Sequence, residues 1–195
     1  MAGFPLGLKM TPEQRINDMN AYEPLYDPAG PGMTFPMHTI GHLEVGNASA
    51  AADYFNLTLR NIQEPFKVWT ETADSNQAAS FTDMGCYNFI TGAGGFLQSV
   101  IYGYFGLRIR EDGIYLKPQI LENAKYQKLR GLQFRGSRID VELDGASGQA
   151  QISLTKQGPG IIRGNSAILT PQSPITFSGE LLLTFSESPD LEIIE

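Results

Sequence analysis

The sequence predicts a mixed chain in which α-helices come first and antiparallel β-strands follow, with the change near residue 107. Apolar residues recur at helical spacing before that point and at every second position after it. The 195 residues are 42% hydrophobic, which is enough apolar material for a packed core and argues against wholesale disorder. We therefore expect a globular chain of one modest domain or two small ones.

The first helix is predicted from Thr11 to about Tyr22. Thr11 can cap this helix, Pro12 suits its first turn, and Gln14 completes a capping box. The Pro and Gly residues from 24 to 32 then exclude regular structure. The first helix should therefore end before this turn region.

Two more helices are predicted before residue 63. The first ends at Gly46 and carries an apolar face formed by Met33, Met37, Ile40 and Leu43. The second begins at Asn47 or Ser49, and its apolar face consists of Ala51, Tyr54, Phe55, Thr58 and Ile62. A loop is predicted from Glu64 to about Gly85, and it contains the single tryptophan, Trp69. Long loops in compact domains are often functional.

The run from Tyr87 to Leu107 is long enough to cross a bilayer, and no charge occurs between Asp83 and Arg108. Its polar side chains and five glycines make it much more polar than a typical spanning helix. We therefore predict no membrane partner. The run is instead expected to be a helix buried in a larger helical bundle or barrel, where glycines allow close approach.

Antiparallel strands are predicted after Leu107. Two hairpins should turn at Asp112-Gly113 and at Gly136-Ser137. We expect residues 108–187 to form a small antiparallel β-sandwich and residues 188–195 an acidic tail. Further strands are predicted in the segments 148–156, 166–172 and 180–186.

Composition excludes several classes of function. The formal charge of −7, from 14 Lys and Arg against 21 Asp and Glu, argues against a nucleic-acid partner bound through its phosphates. One cysteine excludes an intramolecular disulfide, and one cysteine with two histidines is too few for a four-ligand zinc site. We predict no metal and no cofactor. The compartment stays open, with the cytoplasm slightly favoured because the N-terminus lacks the basic region and cleavage site of a signal peptide.

Three short patterns suggest chemistry, and each has a simpler explanation. His38 and His42 have a spacing at which two imidazoles can share a metal, but no Glu follows His38 and no third ligand is evident. The glycine-rich stretch 92–95 resembles a phosphate-binding loop, but it lacks a third fingerprint glycine and a P-loop lysine. Cys86 beside an apolar segment is typical of a buried cysteine rather than of a nucleophile.

The segment from Gln63 to Glu71 is a stronger candidate. It places the carboxylates of Glu64 and Glu71 around Phe66 and Trp69, and aromatic faces of this kind stack on sugar rings. A carboxylate beside an aromatic wall can be tuned for acid or base catalysis, which glycoside cleavage requires. The alternative is that both glutamates are solvated charges or lie at helix ends.

A family resemblance adds to this interpretation. NIQEPFKVWTE at 61–71 is followed by NFITGAGGFLQSVIYGYFGLRI at 88–109, and YEPLYDPAGPGMTF at 22–35 precedes both. Together these segments resemble glycoside hydrolase family 65, above all its animal-type, acid-trehalase-like branch. The resemblance runs from about Gly3 to about Leu143.

The resemblance implies an (α/α)6 barrel followed by a small β-sandwich, so that residues 1–107 would be the last helices of the barrel. It also implies inverting hydrolysis of an α-linked glucosyl residue, with a general acid and a general base about 6.5 to 9.5 Å apart and water between them. Glu71 matches the position of the base. The aromatic pair and the GGFLQ motif supply the candidate substrate-binding residues Trp69, Phe66, Gly94, Gly95 and Gln98.

Part of the family pattern has no match in this chain. In the family, the general acid lies upstream of the matching segments, as do an aromatic-plus-Asp sugar-binding segment and a Lys-Gln pair that contacts glucose. The resemblance therefore implies an incomplete catalytic unit that is inactive and poorly soluble by itself. The expected partner is a carbohydrate or glycosylated-lysine substrate, either α-1,2-linked glucose on galactosyl-hydroxylysine or trehalose.

Two alternatives stay open. One is a disaccharide phosphorylase of the same family, in which a Ser/Thr-Gly-Gly-Ile-His type loop binds phosphate. This chain has Asn-Phe-Ile-Thr at 88–91 and lacks that histidine, which favours water as the nucleophile. The other alternative is a non-catalytic fragment that binds carbohydrate or has a structural role.

Overall fold

A computed structural model describes residues 2–72 and 85–187 of the chain. The chain divides into two compact units, Met1–Gly103 and Tyr104–Glu195. Among these described residues, the first unit contains helices and one short hairpin, and the second contains two antiparallel sheets. The predicted order of helices followed by antiparallel strands is confirmed. The predicted acidic tail, 188–195, lies outside the described residues.

The helices of the first unit form where the sequence predicts them. They are α1 (Pro12–Tyr22), α2 (Thr34–Glu44), α3 (Ala48–Leu57) and α4 (Ile90–Gln98), with a 3₁₀ turn at Glu23–Leu25 and a π-helical turn at Ser99–Tyr104. The predicted capping box of α1 is confirmed, because the Thr11 side chain accepts from the Gln14 amide while the Gln14 side chain accepts from the Thr11 amide. Asn47 is the N-cap of α3, where its side chain accepts from the Ala50 amide.

The prediction is wrong for the chain that follows α3. Ile62 is not on the helix, because α3 ends at Leu57 and Ile62–Gln63 form a short strand, β1. β1 pairs with β2 (Val68–Trp69), so the start of the predicted 64–85 loop is a hairpin. Residues 73–84 of that loop lie outside the described residues.

Helix α4 is buried on one face only, and the larger bundle or barrel predicted around it is not part of the described residues. A Cβ at Gly95 would lie 2.8 Å from Pro36 of α2, so this glycine permits the contact between the two helices. The opposite face is open, with Ile90 82% exposed and Leu97 58% exposed. Within the described part of the chain, no helix is both long and apolar enough to span a membrane.

Over its described residues, 104–187, the second unit contains nine strands in two sheets. The strands are β3 (Arg108–Arg110), β4 (Gly113–Leu116), β5 (Tyr126–Phe134), β6 (Ser137–Asp144), β7 (Ala150–Lys156), β8 (Gly160–Gly164), β9 (Ala167–Leu169), β10 (Ile175–Phe177) and β11 (Leu181–Glu187). One sheet has the order β10-β7-β6-β5 and the other β3-β4-β11-β8-β9, and all pairs are antiparallel.

The two sheets of this unit meet through their apolar faces. A Cβ at Gly164 of β8 would lie 3.0 Å from Ile175 and 3.4 Å from Ile152, which both belong to the other sheet. Alternate residues of β6 are buried, including Ile139 and Val141, which are fully inaccessible to solvent. The core of this unit therefore lies between the sheets.

Both predicted hairpin turns are displaced by one residue. Arg110 pairs with Gly113, so the first turn consists of residues 111 and 112 rather than of Asp112-Gly113. Phe134 pairs with Ser137, and the second turn is Arg135-Gly136, with φ of 49° and 79°. Two positive φ angles are typical of the type I′ turns that suit strand twist. Strands β8 and β10 were not predicted from the sequence.

Candidate functional site

The candidate site is built on the strand that ends the β1–β2 hairpin. Ile62 pairs with Trp69 in this hairpin. On its other edge the same strand pairs with the chain that leads into α4: the Phe89 amide donates to the Trp69 carbonyl at 2.8 Å, and the Glu71 amide donates to the Cys86 carbonyl at 3.0 Å. The backbone from 69 to 71 is therefore held on both sides.

The Glu71 side chain has a fixed position in this arrangement. Its Oε2 accepts a hydrogen bond from the Cys86 amide at 3.1 Å. A Cβ at Gly85 would lie 2.6 Å from the same oxygen, so only glycine leaves room for the carboxylate there. Since a carboxylate can accept about four hydrogen bonds, the bond to Cys86 leaves capacity for a water molecule.

Trp69 has a half-buried and largely structural environment. Its indole Nε1 donates to the Thr58 carbonyl at 2.9 Å, and its ring centroid lies 5.6 Å from that of Phe96. A Cβ at Gly92 would lie 3.1 Å from its Cδ1 atom, so the indole also packs on α4. Trp69 therefore anchors the strand that carries Glu71.

Phe66 lies apart from this packed region. It is in the turn between β1 and β2 and is 84% exposed. Glu64 forms an ion pair with Lys67 in the same turn, where both side chains are about two-thirds exposed. The structure thus does not bring Glu64 and Phe66 together with Glu71 and Trp69 in one cluster.

The GGFLQ motif begins inside α4 rather than in a loop. Gly95 is buried against Pro36, whereas a Cβ at Gly94 would have no atom within 4 Å. Gln98 is the last residue of the helix and is half-buried. Gly94 and Gln98 are four residues apart and so lie on the same helix face.

The two histidines belong to a buried aromatic cluster. Nε2 of His42 lies 3.2 Å from the Glu23 carboxylate, and the rings of His38 and His42 stack on Tyr54 with centroids 4.7 and 5.3 Å away. The Tyr54 hydroxyl donates to Glu23 at 2.8 Å. Burial lowers the pKa of His38, and burial together with the bond to Glu23 raises the pKa of Tyr54.

The metal and cysteine candidates can be compared with the described part of the chain. Over residues 2–72 and 85–187, no group of three or more His, Cys, Asp or Glu residues is arranged to hold a metal ion. Cys86 is exposed, which corrects the prediction of a buried cysteine. The Cys86 backbone forms two hydrogen bonds with Glu71: the carbonyl accepts from the Glu71 amide, and the amide donates to the Glu71 carboxylate.

The sequence reasoning missed Asn61 and Gly85. Asn61 is fully buried, and its side chain binds the backbone of the strand that ends at Glu71. One local signal was available: an asparagine directly before a β-branched residue, as in Asn61-Ile62, suits a turn that leads into a strand.

Comparison with known proteins gives several relatives. A Danio rerio protein named protein-glucosylgalactosylhydroxylysine glucosidase is 34% identical in an alignment of 185 residues that covers 91% of this chain and 27% of the relative. A Dictyostelium discoideum protein of the same name is 37% identical over 142 residues, 72% of this chain and 19% of the relative. Acid trehalases, such as that of Emericella nidulans, match at lower identity. The chain thus spans about a quarter or less of the length of these relatives.

The fold has a counterpart among solved structures. A chain assigned as a kojibiose phosphorylase from the human microbiome superposes with a TM-score of 0.59 at 18% identity, over 93% of this chain and 23% of that chain. This likeness concerns the fold alone. No protein-family model matches the chain. Through its sequence relatives, and in agreement with its motifs, the chain belongs to the acid-trehalase and glucosylgalactosylhydroxylysine-glucosidase branch of glycoside hydrolase family 65.

Proposed function

We propose that this chain carries the general base of an inverting α-glucosidase site, and that the base is Glu71. The observation that carries the proposal is the fixed carboxylate: Oε2 accepts from the Cys86 amide at 3.1 Å, and the Glu71 backbone is hydrogen-bonded on both edges. A base held in this way can orient an attacking water without reorganising in the transition state.

The reaction assigns a different task to each of two carboxyl groups. In inverting hydrolysis the base removes a proton from water as its oxygen attacks the anomeric carbon, while an acid protonates the departing oxygen. Glu71 would perform the first task. We place the acid outside these 195 residues, in accord with the small share of its relatives that the chain spans. The helices of residues 1–107 would then be the last helices of an (α/α)6 barrel, and residues 108–187 its C-terminal sandwich.

The proposed substrates are α-glucosides. The names of the relatives point to a glucosyl unit on galactosyl-hydroxylysine or to trehalose. Gly94 and Gln98 lie on one face of α4, where a Cβ at Gly94 would meet no atom within 4 Å, and they are proposed to border the sugar. Trp69 is proposed to act indirectly, by anchoring the strand that carries Glu71, and Phe66 is proposed to contact substrate through its exposed ring at the hairpin turn. Gly95 is proposed to act indirectly, by setting the distance between α4 and α2.

The proposal is tested in a chimera in which this chain replaces the matching segment of the Danio rerio relative. We expect release of glucose from glucosyl-galactosyl-hydroxylysine or trehalose, and a fall in kcat of about 10²- to 10⁴-fold in Glu71→Gln. Glu64→Gln is the matched control, because Glu64 is in an exposed turn of the same segment. Equal kcat in Glu71→Gln and the parent chimera would refute the assignment.

Two further measurements separate the alternatives. The unmodified 195-residue chain is expected to release no glucose, and release that Glu71→Gln abolishes would contradict our placement of the acid. Formation of glucose 1-phosphate when phosphate is supplied would instead identify a phosphorylase.

A further inference from the structure

Asn61 is a fully buried polar residue that contacts the Glu71 backbone. Its solvent exposure is 0%, and it directly precedes β1. The side-chain Nδ2 donates to the Glu71 carbonyl at 2.8 Å and also contacts the Thr70 carbonyl at 3.3 Å. The Asn61 backbone carbonyl accepts from the Thr70 amide at 2.9 Å. The Asn61 side chain thus binds the peptide group before the Glu71 α-carbon and the peptide group after it.

The surroundings require a donor at this position. Nδ2 faces two carbonyl oxygens, which can only accept, so the amide must point its nitrogen toward them. The chain also makes room for the amide, because a Cβ at Gly32 would lie 2.8 Å from Nδ2. The Gly32 amide donates to the same Glu71 carbonyl at 2.7 Å. The Asn61 side chain and the Gly32 amide therefore both donate to the Glu71 carbonyl.

We propose that Asn61 is a positioning residue for the general base: its buried carboxamide fixes the peptide of Glu71, and thereby the carboxylate, relative to the bound sugar. The inference rests on the proposed role of Glu71. A displacement of about 1 Å in a catalytic group can lower a rate about 10²-fold, so the loss of one donor that does not touch the substrate can have a large kinetic effect.

The first test uses hydrogen exchange in the chimera and needs no activity. In Asn61→Ala the strand loses a buried donor, and the amides of Glu71 and Cys86 are expected to exchange about 10-fold faster or more. The amides of α3 should exchange as before. Asn56→Ala is the matched control, because Asn56 is exposed on α3. Unchanged exchange at Glu71, or equal acceleration throughout α3, would overturn the proposal.

The second test is kinetic and uses the chimera with azide. In Glu71→Ala, azide can replace the activated water: a C–N bond forms at the anomeric carbon as the bond to the leaving oxygen breaks, and the acid protonates that oxygen. Azide carries no proton to be removed, so this route bypasses the base. A residue that acts only by positioning Glu71 should not affect the azide-supported rate.

The expected result is a pair of unequal effects. With Glu71 present, Asn61→Ala should lower kcat about 10²-fold with little change in KM. In the Glu71→Ala background, the same substitution should leave the azide-supported rate within about 2-fold. Equal losses in both backgrounds would show a merely structural role and overturn the proposal. If Glu71→Ala itself leaves kcat unchanged, the proposed function fails first, and the positioning of a base fails with it.

Discussion

Two adjacent glycines of α4 should respond in opposite directions to the same substitution. Gly94 and Gly95 are both helical, and both belong to the GGFLQ motif. A Cβ at Gly94 would meet no atom within 4 Å, whereas at Gly95 it would lie 2.8 Å from Cγ and 3.1 Å from Cβ of Pro36. Gly94→Ala and Gly95→Ala therefore form a matched pair that differs only in packing.

The magnitudes follow from two opposing effects. Replacing Gly by Ala in a helix interior stabilises it by about 1 kcal/mol, and this gain applies at both positions. Overpacking in a filled site typically costs about 1 to 3 kcal/mol, and the proline ring is a rigid neighbour. We expect Gly94→Ala to raise the free energy of unfolding by about 0.5 to 1 kcal/mol, and Gly95→Ala to be about 1 to 3 kcal/mol less stable than Gly94→Ala.

Urea unfolding followed by the emission of Trp69 measures this difference. The single tryptophan is on β2 and contacts Phe96 of α4, so its emission reports the packing of that helix. For a slope of about 1 to 3 kcal/mol/M, the two midpoints should differ by on the order of 1 M urea. A midpoint for Gly95→Ala equal to or above that of Gly94→Ala would refute the packing role of Gly95.

Two other predictions concern the site and the histidine cluster. Gly85→Ala should lower kcat of the chimera about 10²-fold, because the new Cβ would displace the Glu71 carboxylate and because Gly85 has a φ of +66°. Unchanged kinetics would contradict this geometry. Because burial lowers the pKa of His38 in the folded chain, the unfolded chain binds its proton first, and stability should fall as pH drops below 6.5. In His38→Phe the free energy of unfolding should depend less on pH between 7.5 and 5, as measured by urea unfolding. The same pH dependence in His38→Phe and in the parent chain would contradict this role of His38.

Local signals in the sequence predict the helices well. The Thr11-Pro12-Gln14 pattern specifies the start of α1, because a capping box satisfies backbone amides within a few residues. The position of Glu71 on a fixed strand depends instead on pairing with residues 85–89, which are about 15 residues away in sequence. No local pattern encodes such pairing. The error at Ile62 has a different cause: the apolar helical repeat extends from Ala51 to Ile62, whereas Ile62 pairs with Trp69 in the hairpin.

The roles of individual glycines also exceed what the sequence can predict. The GGFLQ motif marks Gly94 and Gly95 equally, but only the structure shows that Gly95 faces Pro36 while Gly94 faces open space. Asn61 is a similar case, because its importance arises from carbonyl groups that the fold brings to it. The candidate base itself was predicted from the family motif, since Glu71 lies in the segment that carries the resemblance.

The most direct test of the central claim is the configuration of the product that Glu71→Ala forms from an α-glucoside and azide in the chimera. If Glu71 is the base of an inverting site, azide should restore turnover, and proton NMR should show β-glucosyl azide, because the anion attacks from the face that water would use. Turnover that azide does not raise, or formation of α-glucosyl azide, would contradict the assignment of Glu71.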